Sequence, residues 1–233
     1  MVLIDTVYQR VLAIANKEQR GYITPQEFNL FANQAQVDIF EQYFYDINQY
    51  GRAPKNATEY SNLEDIVDDK LAPFKRKQNA PVNLGPGLFE IPDYIYKLGT
   101  VKFQEKYIVD EVQEDELIYI NSSPLTIPTV TRPVYVRLGA PAGEAIQVYP
   151  TNIVTSLTYT YVKKPAKVNW GYAVVGGNAL YDATTAVNFE LHPSEEKKLV
   201  LKILALCGIL LKDSGLYASS SQEEDRDISQ EKK

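Results

Sequence analysis

Apolar residues near the start of the chain fall at Leu3, Ile4, Val7, Tyr8, Val11, Leu12, Ile14 and Ala15, a spacing that lines one side of a helix over residues 3–15. A longer stripe of Phe28, Phe31, Ala35, Ile39, Phe40, Tyr43, Ile47 and Tyr50 predicts a second helix from Pro25 to about Tyr50. The stretch that joins them, NKEQRGYITPQE (Asn16 to Glu27), has the outline of a calcium loop, with glycine sixth and glutamate twelfth. Its first, third and fifth positions are Asn16, Glu18 and Arg20, and an arginine where a ligand oxygen belongs argues against the cation. Thr24, Pro25 and Glu27 instead form a capping box for the second helix, with Ile23 and Phe28 as its hydrophobic staple and Gly21 ending the helix before it.

The other face of the second helix is Asn29, Asn33, Gln34, Gln36, Gln42, Asn48 and Gln49, with few charges. A helix side facing water favours Lys and Glu, which pair along it, whereas interfaces are depleted in both. This face therefore reads as a contact surface, with Asn33, Gln36 and Tyr43 as candidate subunit-interface positions.

A third helix is expected from Ser61, capped with Glu64, through Leu63, Ile66, Val67 and Leu71 to Pro73. The basic run Lys75-Arg76-Lys77 then reads as its solvated C-terminal end. From about Pro81 to Leu191 proline and glycine punctuate short β-branched and aromatic segments, among them YIYKLGTVKF, PVYVRLG and SLTYTYVKK, the signature of strands. Gly176-Gly177-Asn178, flanked by Val174, Val175, Leu180 and Tyr181, predicts a hairpin turn.

Leu199 to Leu211, LVLKILALCGILL, is apolar on every side except at Lys202. Such a helix must be buried all round, by its own bundle or by a neighbouring copy, which makes Leu204 and Leu206 further interface candidates. After Asp213 the apolar pattern stops; a polar tail follows whose Leu216, Tyr217 and Ile228 could anchor it to a partner. The expected fold is α+β: a helical bundle of three N-terminal helices (1–78) and one C-terminal helix (191–213), with a β-rich insertion (79–190) and a flexible tail (214–233).

Composition narrows the function. A net charge of −6 over 233 residues argues against a grip on nucleic acid. No apolar run reaches about 18 residues, so no membrane span is expected, and MVLIDTVYQR lacks the basic start of a secretory signal. A single cysteine allows no intrachain disulfide and suits a reducing cytoplasm. The single histidine, His192, has no second histidine for a metal site or triad and reads as a residue at the start of a helix. Cys207 lies on the apolar helix, where a thiol is inert, and acidic pairs such as Asp68-Asp69 have no distinguishing partner. No phosphate loop or nucleophile elbow occurs. Nothing marks an enzyme, a cofactor or a metal. Seventeen tyrosines, in contrast, are more than a core of this size needs, and tyrosine is enriched where proteins touch.

Four segments carry a resemblance. NSSPLTIPTVTRPVYV (Asn121 to Val136), IQVYP (Ile146 to Pro150), YTYVKKPAKVNWGY (Tyr159 to Tyr172) and FELHPSEEKKLVLKILALCGILLKD (Phe189 to Asp213) are similar to ring-forming structural proteins of tailed-phage virions, closest to those of crAss-like short-tailed phages. The resemblance implies a head-to-tail connector: a twelve-fold ring under the portal protein, next to other neck or tail rings, made in the bacterial cytoplasm and built into the virion. Genomic DNA would pass through its lumen without specific binding, and an acidic subunit suits that passage. The competing expectation is an intracellular adaptor or scaffold unrelated to virions.

Overall fold

The computed structural model describes residues 1–17, 23–52, 60–79, 81–140 and 143–210, together with 222 and 226. Along the chain run α1 (Ile4–Lys17), α2 (Pro25–Arg52), α3 (Tyr60–Leu71), β1 (Lys75–Asn79), β2 (Asn83–Gly85), β3 (Leu88–Ile91), β4 (Ile95–Phe103) and β5 (Tyr107–Glu111). Then follow α4 (Glu114–Ser122), β6 (Val134–Ala140), β7 (Gly143–Tyr149), β8 (Leu157–Lys163), β9 (Tyr172–Val175), β10 (Asn178–Tyr181) and α5 (Glu196–Leu210). These elements group into two compact units, one of Met1–Pro73 with Pro165–Lys233 and one of Phe74–Lys164.

In the first unit, α5 packs against α1 and α2, and α3 against α2. The capping box opens α2 as expected: the Thr24 amide and hydroxyl donate to Glu27 Oε2 at 2.9 and 2.7 Å, and the Glu27 amide donates to Thr24 Oγ1 at 3.3 Å. Ile23 and Phe28 are both buried. The apolar helix α5 buries Leu199, Ile203, Leu204 and Cys207. The glycine hairpin also forms, β9 pairing with β10 so that Val175 faces Asn178. Its turn needs two left-handed residues, and Gly176 (φ 59) and Gly177 (φ 85) adopt that backbone freely.

The second unit is one eight-stranded sheet in the order β1-β8-β4-β5-β6-β7-β3-β2. Laid flat, its edge strands would lie about 34 Å apart, at about 4.8 Å per strand. Yet β1 ends at Asn79 and β2 begins at Asn83, a step of at most about 14 Å of extended chain. The sheet must therefore curl until its two edges come near each other. β4 helps it bend: its register against β8 slips between Ile95 and Lys97 and again between Leu98 and Val101, each slip adding one residue to β4. Such bulges increase twist and bend the strand. Phe89, Ile91, Leu98, Val101, Val109, Ile146, Val148, Leu157 and Tyr159 fill the inside of the curl.

Several expectations need correction. The protein is a β-rich α+β fold with a large curled sheet and, among the described residues, five α-helices; it is not a helical bundle carrying a β insertion. Helices alone do not close the first unit, because extended chain from Pro165 to Leu191 is part of it. The sheet unit ends at Lys164 and begins at Phe74, so its limits differ from residues 79–190. Lys75, Arg76 and Lys77 lie in edge strand β1, paired to β8 at Val162, Tyr161 and Thr160. Charged residues are a common means of keeping an edge strand from pairing with another chain. Helix α4, inside the strand-rich region, was not expected. α3 begins at Tyr60, ahead of Ser61; the centre of the calcium-like loop and the tail anchors Leu216, Tyr217 and Ile228 lie outside the described residues.

Candidate functional site

The amide face of α2 is spent inside the chain. Asn29, Asn33 and Gln36 sit four and three positions apart, on one side of the helix, and meet the extended segment after Pro165. Asn29 Oδ1 accepts from the Trp170 amide at 2.7 Å, and its Nδ2 donates to Asn169 Oδ1 at 3.0 Å. Asn33 takes both sides of one residue's backbone, Oδ1 accepting from the Val168 amide at 2.9 Å and Nδ2 donating to the Val168 carbonyl at 2.9 Å. Gln36 Nε2 donates to the Ala166 carbonyl at 2.8 Å, and its Oε1 accepts from the Glu190 amide at 3.4 Å. Side-chain amides thus act as a strand edge for this segment, which also bridges to Val187 through the Asn169 backbone, and they satisfy backbone groups that burial would otherwise leave without partners. Trp170 is held by its Nε1 donating to Asp5 Oδ1 at 3.0 Å and by rings at 4.1 Å (Tyr8) and 5.9 Å (Tyr172). Gly171 follows where a Cβ would come within 2.2 Å of Thr185 Oγ1.

Asn33 and Gln36 therefore face their own chain rather than open solvent, and the composition that suggested a subunit contact has an intramolecular cause. Tyr43 and Leu204 are buried, and Leu206 is half-buried. The sequence could not separate an amide row that binds a partner from one that binds the same chain about 140 residues later, because both deplete charge in the same way.

The single histidine is hydrogen-bonded and the single cysteine is buried. His192 Nδ1 lies 2.9 Å from Ser194 Oγ and accepts from the Ser194 amide at 3.3 Å, which caps the turn before α5. Burial pushes the Cys207 thiol up to about 12, so it stays protonated and a poor nucleophile at neutral pH. Glu195 is buried in an ion pair with Lys70 Nζ at 2.8 Å, which ties the start of α5 to α3. In the sheet unit Glu111 accepts from Tyr135 Oη at 2.9 Å and pairs with Arg137 Nε at 2.9 Å, pinning the parallel contact of β5 with β6. Among the described residues no group of three or more His, Cys, Asp or Glu side chains is placed to hold a metal ion. No helix among them is long and apolar enough to cross a membrane.

What the structure does present is apolar surface, in both units. On the β9–β10 hairpin Val174, Val175, Leu180 and Tyr181 are exposed, Val174 to 67%. On α4 no residue is buried, and Ile118, Tyr119 and, just beyond the helix, Leu125 are 71%, 77% and 78% exposed. Apolar side chains gathered in this way mark surfaces that take a partner more often than scattered ones do. Ile118 and Tyr119 were not singled out in the sequence, because Leu117 to Ile120 is a short apolar run inside a strand-rich region. No protein-family model matches the chain, and no curated protein is significantly similar to it.

Proposed function

We propose that the chain is a structural subunit of a phage virion, one copy of a twelve-fold ring that joins the portal protein to the next ring of the neck or tail and forms part of the DNA conduit. The observation that carries this reading is the exposed apolar surface on both compact units, which suits a subunit with more than one neighbour. The resemblance of four segments to phage ring proteins names the assembly in which such neighbours occur. The acidic balance, −6 over the chain, fits a lumen that DNA slides through, since binding to phosphates draws on clustered basic residues.

Cryo-electron microscopy of virions carrying this chain tests the reading. The expected result is twelve copies, each with a curled eight-stranded sheet and the α1–α2–α5 packing, placed between the portal and the tail. Mass spectrometry that finds no such chain in purified virions would overturn it and favour an intracellular adaptor.

A further inference from the structure

Strands β5 and β6 run parallel, and parallel neighbours need a crossover, usually a helix. Here α4 is that crossover. Crossover helices ordinarily cover the sheet with an apolar face, yet α4 buries none of its residues. The turn after it is nevertheless well held. Thr126 Oγ1 donates to the Ile120 carbonyl at 2.7 Å, and Arg132 Nη2 donates to the Leu125 carbonyl at 2.9 Å. Thr129 and Arg132 exchange backbone bonds of 3.2 and 3.0 Å. Ile118, Tyr119 and Leu125 are thus displayed on a fixed support, which lowers the ordering cost of docking. Glu114, Asp115 and Glu116 precede them, so this knob is apolar with an acidic base.

The same unit carries a surface of matching chemistry. A groove of about 510 Å³ lies where β1, β8 and β4 meet, lined by Lys75, Arg76, Lys77, Gly99, Tyr161 and Val162. It combines apolar walls with three basic residues, of which Lys77 is held by Glu105 at 2.6 Å. Within one copy the knob residues stay exposed, so the two surfaces do not satisfy each other there.

We propose that the α4 knob of one copy docks into the basic β1–β8–β4 groove of a second copy. The charges fit, acidic base against basic rim, and the apolar tips meet apolar walls. Where the second copy does not return the contact, one knob and one groove stay open and the assembly extends to a closed ring or a filament; a returned contact closes a two-fold dimer. The proposal gives a contact for the ring proposed above and rests on that reading only for the claim that the product closes.

Sedimentation velocity on the full-length protein tests it with three samples. The wild type should form large oligomers that weaken as salt rises. Ile118→Asp, which spoils the knob, and Arg76→Glu, which spoils the groove, should each weaken self-association at least about tenfold while keeping the wild-type circular dichroism. Mixed in equal amounts, the two variants should form pairs and nothing larger, because one intact knob meets one intact groove. If Ile118→Asp fails to fold, Leu125→Asp replaces it. Oligomers undiminished in both variants would overturn this contact and leave the ring reading standing. Loss in Arg76→Glu alone would give the groove to another acidic ligand, such as nucleic acid or the chain's own tail, and overturn the pairing. A wild type that stays monomeric would also overturn it, whereas the ring reading stands or falls on the virion experiment.

Discussion

At the scale of single residues, the start of α2 shows how four atoms set a helix boundary. The Glu27 carboxylate takes two donors from Thr24, and those bonds, the hydroxyl's first, hold its pKa below the ordinary value. A lowered folded pKa means that the stabilisation is present above the ordinary glutamate range and is lost as the pH falls through the folded value. Thr24→Ala should therefore cost about 1 kcal/mol at neutral pH, as lost caps do, measured by urea unfolding. The gap in melting temperature between wild type and Glu27→Gln should narrow in acid; a gap that stays constant down to about pH 2, below the ordinary carboxylate range, would show that the carboxylate is not the source. Asn33 is a stronger case, since it serves both the amide and the carbonyl of buried Val168. Truncation to alanine strands two buried backbone groups, each costing about 1–3 kcal/mol. Its neighbour Gln34 is the natural control, an exposed side chain bonded to Asp38 on the same helix. Asn33→Ala should destabilise well beyond Gln34→Ala, and equal effects of the two would refute the ladder.

At the scale of elements, α5 is the clearest test. Its apolar surface on all sides predicted burial, and burial is what the structure shows at Leu199, Ile203, Leu204 and Cys207. Leu204→Asp would place a charge without a partner in that core and should abolish cooperative unfolding. Cys207 offers a gentler probe. With its thiol pushed up to about 12 by burial, it should resist a thiol-specific reagent at about pH 8, near the ordinary thiol value, in native protein and react in urea; fast native labelling would mean that α5 is open. This helix was legible because a run without a polar side has only one physical resolution. The capping box at Thr24 and the hairpin at Gly176 were legible for a similar reason: their backbone geometry restricts which residues can serve. β1 was not, because KRKQN has neither alternation nor apolar content and is a strand only through its pairing to β8. Nor was α4, since its apolar quartet has no partner face to impose a helical period. The amide row of α2 was seen, but its partner lies 135 residues away at Asn33 and Val168, and nothing local records such a separation.

At the scale of the whole chain, the division at Phe74 and Lys164 has a consequence for folding. The chain enters the sheet unit on β1 and leaves it on β8, and these strands are hydrogen-bonded neighbours, with Lys75 opposite Val162. The two ends of the unit therefore lie side by side, as in domains that tolerate insertion into another domain. Pro73 and Pro165 flank the junctions on the other side. The core inside the curl, from Phe89 and Ile91 through Val101 and Ile146 to Leu157 and Tyr159, is drawn entirely from this unit. A fragment of residues 74–164 should consequently fold alone. Its tyrosines supply an internal readout, because the phenols of Tyr135 and Tyr159 are both pushed up to about 12, chiefly by burial, with the Glu111 carboxylate adding to the shift at Tyr135. A phenol raised in the folded state contributes stability that is whole below the unfolded value of about 10 and is lost as the pH rises through the folded one. Absorbance titration of the folded fragment should show a delayed set of phenols ionising at about 12. In urea all should ionise together near about 10. A fragment without cooperative unfolding, or without that delayed set under native conditions, would show that the sheet needs the helices to hold its curl.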